Sequence, residues 1–460
     1  MVHSSCIIKT ALLFSLMVSL LGGCGNKRDS LSPQPIINQN RNPVANAGPN
    51  RVVLAGVNIT LEGSGSSDAD GDALAYSWSL IRKPAGSTAV LSNATSVNPS
   101  FTSDKDGLFV AELIVSDGTG SSAPVTVTIT RSSPSCSTDD ILKTQTTGSM
   151  IVGPSEDFIP LCNGVVLFGD RELNQIRLLD VVSGGTGTPF QLTAAPKGLA
   201  LDPDNDLLYA AHAPATFLTR MDLLSGAKSQ ITLSKGALNL AVVGGGRVFA
   251  SLDENASNDH PLALVSGLTG TVEQEYPGDW DPYPGHYGHL LAYDPVHGQL
   301  FSANSYDLVR YSFDPNLKTL TQVESLTGYC SNGEDLAISP DGEHVAYACG
   351  GGNGPGYSIY DFSSTAMGYI YGAWETGAYP ASVAFDPSGA YVAATDTNNI
   401  LIFDTSTHVL LQTYPVDLSD CSSPGLSRVR FSRGGNIVFA YAFCGFWSNS
   451  GKLFWVVLQP

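Results

Sequence analysis

The sequence predicts an all-β chain, a β-sandwich followed by a seven-bladed β-propeller, and three observations carry that expectation. First, one hairpin turn recurs: Asp202-Pro203-Asp204-Asn205-Asp206, Asp294-Pro295-Val296-His297-Gly298, Ser339-Pro340-Asp341-Gly342-Glu343, Asp386-Pro387-Ser388-Gly389-Ala390 and a degenerate Ser432-Arg433-Gly434-Gly435-Asn436. Pro presets one turn dihedral, and Asn, Asp or Gly tolerates the positive one that a tight hairpin demands. Second, the copies are periodic. Pro295 to Pro340 is 45 residues, Pro340 to Pro387 is 47, Pro387 to Arg433 is 46, and Pro203 to Pro295 is 92, two periods bridged by a weaker turn at Gly244–Arg247. Asn163-Gly164 supplies a seventh turn, and a period of roughly 40–50 residues holding several strands is what a propeller blade produces. Third, 48 Gly and 27 Pro against 23 Lys and Arg in 460 residues is a turn-dense, all-β profile.

Taken in order, residues 1–23 carry Lys9, an apolar run from Ala11 to Leu21 and then Gly22-Gly23. That run is too short to span a bilayer and ends in small residues, as a secretory signal peptide does. Leu21-Gly22-Gly23-Cys24 resembles the bacterial lipobox, and the resemblance implies that Cys24 is the lipidated first residue of an exported lipoprotein. Gly25 is not the Asp that holds enterobacterial lipoproteins at the inner membrane, so the expected address is the cell envelope, at the outer membrane. Residues 24–42 are polar, Pro/Asn-rich and aperiodic, a flexible tether. The formal charge is −19, or −20 once Lys9 leaves with the signal peptide. A surface that negative repels phosphate backbones, so no nucleic-acid partner is expected.

Alternation in Arg51–Leu54, Ile59–Leu61, Ala75–Leu80, Leu108–Val115 and Val125–Ile129, with turn clusters between, makes residues 43–131 a sandwich. Pro43-Val-Ala-Asn-Ala-Gly48, Leu61-Glu-Gly-Ser-Gly-Ser-Ser-Asp68, Tyr76-Ser-Trp78, Pro84-Ala-Gly-Ser87 and Val115-Ser-Asp117-Gly118 closely resemble the PKD/immunoglobulin-like family, in the form of its receptor-for-egg-jelly-like branch. The resemblance implies an extracellular spacer or adhesion module and not a catalyst. Trp78 shares a face with Tyr76 and Leu80 and belongs to the core. Asp68, Asp70 and Asp72 alternate across a Gly-containing turn and are candidate Ca²⁺ ligands, although a structural turn is the stronger reading.

The propeller is assigned to residues 135–460. Its third strands stand out at Gln175–Asp180, Tyr357–Asp361 and Asn399–Asp404. Its last blade has three strands before the chain ends, so Ile141–Thr146 is expected to supply the fourth and cover the open edge. Besides Cys24, an even set of six cysteines follows the signal peptide, and in an exported protein they imply disulfides. Cys330 and Cys349 lie 10 and 9 residues either side of Pro340, and Cys421 and Cys444 lie 12 and 11 either side of Arg433. Such pairs face each other across a hairpin, which selects Cys330–Cys349 and Cys421–Cys444 and leaves Cys136–Cys162 by elimination.

Candidate ligand-face residues are His212, Trp280, Asp281, Tyr283, His286, Tyr287, His289, Trp374, Tyr379 and Trp447. The densest group, Tyr276 to His289, makes a long aromatic loop, and Asp279, Asp281, His286 and His289 offer N and O donors to a divalent metal. No cofactor is expected beyond that candidate cation. Catalytic motifs are missing: there is no Gly-x-Ser-x-Gly elbow, His-Glu-x-x-His or phosphate loop. The repeats resemble YVTN-type and lactonase-like propellers, a group that holds surface proteins and hydrolases alike. The favoured expectation is therefore a lipid-anchored binding or scaffolding platform for an envelope or extracellular protein or glycan, not an enzyme. The alternatives are a lactonase-like hydrolytic channel, for which Arg171, His212 and Glu254 could be offered, and a structural surface-layer component.

Overall fold

The computed structural model describes residues 39–141, 147–252, 261–276, 290–303, 307–327, 330, 333–349, 358–364, 368–376, 379–421, 425–444 and 450–458. Among them there is no helix: the secondary structure is strand throughout, in eight four-stranded sheets and one two-stranded sheet. The N-terminal module pairs Arg51–Val53, Val125–Arg131, Gly107–Ser116 and Ala75–Arg82 in that order, facing the two-stranded sheet of Asn58–Thr60 with Ser100–Thr102. Alternation explains its core: every second residue of Gly107–Ser116 (Phe109, Ala111, Leu113, Val115) is buried, together with Trp78, Leu61 and Phe101.

Seven four-stranded antiparallel sheets follow, and the recurring turn joins the first two strands of each. The first strands are Phe158–Pro160, Leu199–Asp202, Ala237–Gly244, Leu290–Asp294, Gly333–Ile338, Val383–Phe385 and Gly425–Phe431. Each packs against the first strand of the next sheet, and the seventh packs against the first. Every one of the seven turns holds a residue at positive φ, as the Asn, Asp and Gly of the motif allow. Gly342 shows why Gly is required: its φ is +75°, and a Cβ there would lie 2.6 Å from Oδ1 of Asp294 in the preceding sheet's turn. Neighbouring sheets thus nest turn against turn. A second device closes the third strands. Asp180, Asp222, Asp314 and Asp404 each cap the turn that follows by accepting backbone N–H groups, as with Val182 (2.9 Å) and Ser183 (3.0 Å) on Asp180.

The seventh sheet is completed from the N-terminal side, but not by the expected segment. Thr147–Val152 pairs with Gly451–Val457, with Met150 opposite Leu453 and Thr147 opposite Val456. Ile141 lies outside any strand and packs against the core between the first and seventh sheets, and 142–146 lie outside the described residues. Packing at Trp455 accounts for the shift. A Cβ on Gly148 would fall 2.1 Å from the Trp455 ring, so this register needs a side-chain-free residue there, a requirement that covering the open edge does not by itself reveal.

The six cysteines form the pairs Cys136–Cys162, Cys330–Cys349 and Cys421–Cys444, with Cα–Cα separations of 6.0, 5.7 and 4.2 Å. The sandwich and the seven sheets belong to one compact unit, Arg41–Pro460. Val52 and Leu54 of the sandwich are buried in the same core as Leu161, Val165 and Leu178 of the first sheet. The Val52 N–H donates to Thr186 O (3.1 Å), Asn50 Nδ2 donates to Ser183 O (2.7 Å), and Asn163 Nδ2 donates to Arg131 O (2.9 Å). Thr130 Oγ1 adds a bond to the buried Asp180 carboxylate. The sandwich is therefore mounted on the first sheet by a continuous apolar core and satisfied backbone groups.

Candidate functional site

The first strands converge on a cavity of about 340 Å³. Its wall comes from six of the seven sheets: Asp157–Pro160, Leu199–Leu201, Asn239 and Leu240, Leu290 and Leu291, Asp335 and Leu336, and Arg428, Arg430, Phe431 and Arg433. Alternation along Gly425–Phe431 puts Arg428 and Arg430 on the same face of their strand, two residues apart.

Both arginines are held by one carboxylate. Asp335 Oδ2 accepts from Arg430 Nη1 (2.9 Å), from the Val383 N–H (3.3 Å) and from the Ser382 hydroxyl. Oδ1 accepts the Leu336 N–H (3.1 Å) and lies 3.4 Å from Arg428 Nη1. The Asp335 side chain is 6% exposed, against 20% and 29% for Arg428 and Arg430. Burial pushes its carboxyl up, but the attraction of Arg430 and Arg428 and the bond from Ser382 more than offset that, and it lies below the ordinary carboxylate value. Arg430 Nη1 also donates to Val429 O (2.8 Å), and Arg428 Nε to Glu156 O (3.3 Å). The other acid, Asp157, is occupied by the N–H groups of Phe158 and Leu199, both at 3.0 Å. What this assembly can do chemically is present fixed cationic N–H groups, with carboxylates beside them, to a mostly polar cavity.

Among the described residues, none of those named from sequence lines this cavity. Cys24, Glu254, Trp447 and the whole loop with Asp279, Trp280, Asp281, Tyr283, His286, Tyr287 and His289 lie outside the described residues. His212 is a correction to the exposed ligand face: it is 1% exposed, packs on Phe217, and bonds Ala195 O (3.1 Å) and Thr219 Oγ1 (2.8 Å) through its two ring nitrogens. Burial holds its pKa below the ordinary value, as expected of a neutral core imidazole. Trp374 is likewise buried, edge-on to Phe385 and His408, so its apolar ring serves the packing between the fifth and sixth sheets. Tyr379 is half-buried and its hydroxyl donates to Glu334. Arg171 pairs with Glu156 (2.6 Å), which also binds Lys197 (2.8 Å). In the sandwich, Asp68 Oδ1 accepts the N–H groups of Asp70 (2.7 Å) and Asp72 (3.2 Å), while Asp70 pairs with Arg41 (2.9 Å). Those bonds form a capped turn, and no group of three or more metal-ligating residues occurs among the described residues.

Sequence reasoning missed Asp335, Arg428 and Arg430. A signal was present: Arg428-Val-Arg430 places two of few basic residues at alternate positions on the strand before the recurring turn.

A second charged cluster joins the fifth and sixth sheets. Buried Asp361 receives His344 Nδ1 (2.9 Å) and His408 Nε2 (3.0 Å). Its hydrogen bond holds the His344 pKa above the ordinary value, with smaller help from Asp341 and Glu343 against the effect of burial. A raised folded pKa contributes stability that is fully present below the unfolded value of about 6.5 and is lost as pH rises through the folded value. The wild-type melting temperature is therefore expected to fall from pH 6 to pH 8.5 more than that of His344→Gln. Parallel pH profiles of the two proteins in thermal unfolding would refute this.

Residues 47–130 match a family model described as a PKD domain, so this segment is a PKD-type domain. No curated protein matches the chain.

Proposed function

We propose that this is a lipid-anchored protein of the bacterial cell envelope, at the outer membrane, whose seven sheets are the blades of a seven-bladed propeller. The propeller acts as a binding or scaffolding platform for an envelope or extracellular protein or glycan. The observation that carries this reading is the mounting of the PKD-type domain on the first sheet through the Val52 and Leu54 core and the bonds to Thr186 and Ser183. A platform presented to a partner needs its sheets held in one orientation to the module that carries them. The unbroken succession of first-strand contacts supports the propeller, and the three disulfides accord with export. Cys24 is the lipidated residue, and the tether precedes the sandwich.

Labelling cells with a palmitate analogue tests the anchor. Wild type is expected to take up label and fractionate with membranes, and Cys24→Ala to lose both. Cross-linking of the full chain in intact envelopes is expected to capture a protein or glycan. An unlabelled wild-type protein refutes the anchor, and lactone hydrolysis without any captured partner would replace the platform by an enzyme.

A further inference from the structure

We propose that the linker between the sandwich and the sheets is a strap that completes the seventh turn from outside it: Asp139 supplies the acid that Gly434 lacks. The fifth turn shows what is missing. There Ser339 Oγ accepts the His344 N–H (2.9 Å) and donates to Asp341 Oδ1 (2.6 Å), which in turn accepts the Glu343 N–H (3.1 Å). Ser432-Arg433-Gly434-Gly435-Asn436 matches that turn position by position. The Ser432 N–H bonds Ile437 O (2.7 Å) as the Ser339 N–H bonds His344 O (2.9 Å), and Gly435 stands at φ +80° where Gly342 stands at +75°. Ser432 Oγ likewise accepts the Ile437 N–H (3.1 Å). The place of Asp341, however, falls to Gly434.

Asp139, 293 residues before Ser432, fills that place. Its Oδ2 accepts from Ser432 Oγ (2.7 Å) and from the Asn436 N–H (3.2 Å), the two bonds that Asp341 accepts within its own turn. Ser432 is fully buried, so its hydroxyl needs that acceptor. The space agrees: a Cβ on Gly434 would lie 2.5 Å from Asp139 Cγ and 2.6 Å from its backbone nitrogen, so strap and side chain exclude each other. Gly434, unlike Gly435, is not at positive φ, so its backbone does not require glycine and the seated strap does. The other oxygen of Asp139 serves the first sheet, where Oδ1 accepts the Asn163 N–H (2.7 Å) of that sheet's turn. The next residue serves the sandwich: Asp140 pairs with Arg82 (2.6 Å) and accepts the Leu108 N–H (3.2 Å). Two successive acids thus join the last turn, the first turn and the sandwich, and the seam between the seventh and first sheets is complete only with the strap seated.

Hydrogen exchange of the full chain, followed by mass spectrometry in peptides covering residues 432–437, tests the strap. Asp139→Ala is expected to exchange there about tenfold faster than wild type, because the turn loses its acceptor. Gly434→Ala reaches the same turn from the other side. Its methyl displaces the strap and brings no acid, so a similar acceleration is expected, and a misfolded Asp139→Ala does not decide the matter. Combining Asp139→Ala with Gly434→Asp returns the acid within the turn and is expected to restore the wild-type rate at 432–437. Exchange at Asn163, which regains no acceptor, stays fast in that double variant, and the fifth turn is unchanged throughout. Wild-type exchange at 432–437 in Asp139→Ala or in Gly434→Ala overturns the proposal. So does a double variant that exchanges there as fast as Asp139→Ala, since the turn would then need the strap's backbone and not its carboxylate.

Discussion

Asp335→Asn is expected to lower the stability of the full chain by about 3 kcal/mol, read as a lower urea midpoint at unchanged slope. The carboxylate is 6% exposed and compensates two guanidiniums on the seventh sheet, besides accepting from Ser382 and Val383 at the start of the sixth. Removing its charge leaves Arg428 and Arg430 side by side on one strand face without the carboxylate they share, so the loss is dominated by uncompensated charge and not by one hydrogen bond. The lower end of the range for buried pairs applies because both arginines retain some solvent contact. Two controls sharpen the test. Adding Arg428→Met to Asp335→Asn should recover part of the loss, since a double-mutant cycle isolates the pair. The wild-type advantage should also depend on acid: the folded Asp335 pKa is depressed. Its contribution is thus present above the unfolded value of about 3.9 and is lost as pH falls through the folded one. A midpoint unchanged by Asp335→Asn at pH 7 would show that the arginines are solvated well enough to need no partner.

The second large effect is expected at the Cys136–Cys162 disulfide. The bridge closes a loop of 26 residues, for which chain entropy predicts about 3.5 kcal/mol. Its position adds a consequence that the other two bridges lack. Both cysteines are buried in the core that Val52 and Leu54 share with the first sheet, Ser132 Oγ donates to Cys162 O (2.9 Å), and Arg433 Nε of the seventh sheet donates to Cys136 O (3.3 Å). The same few residues therefore fasten the sandwich, the first sheet and the last. Cys136→Ala with Cys162→Ala is expected to lower the unfolding midpoint and to admit limited proteolysis between residues 131 and 141, separating the sandwich from the sheets. Removing Cys330 and Cys349 should lower the midpoint without creating that cleavage site. Equal protease resistance in all three proteins would show that the apolar contact alone holds the mount.

What the sequence determined by itself is local. The seven hairpins, the third strands at Gln175–Asp180 and Asn399–Asp404, the sandwich strands and the pairs Cys330–Cys349 and Cys421–Cys444 all follow from turn chemistry, period-2 alternation and distance along the chain from a turn. Each is decided within about twenty residues, where spacing alone sets who meets whom. Tertiary structure decided whatever depends on residues far apart in the chain. Thr147–Val152 takes the last edge because Gly148 fits beneath Trp455, more than 300 residues away in sequence. His212 and Trp374, whose types signal a binding face, are buried because their sheets pack there. Asp335 and Arg430 lie 95 residues apart, and no local pattern links them. They meet because the first strands of successive sheets converge, which brings one charged residue from each of two distant repeats to a single cavity.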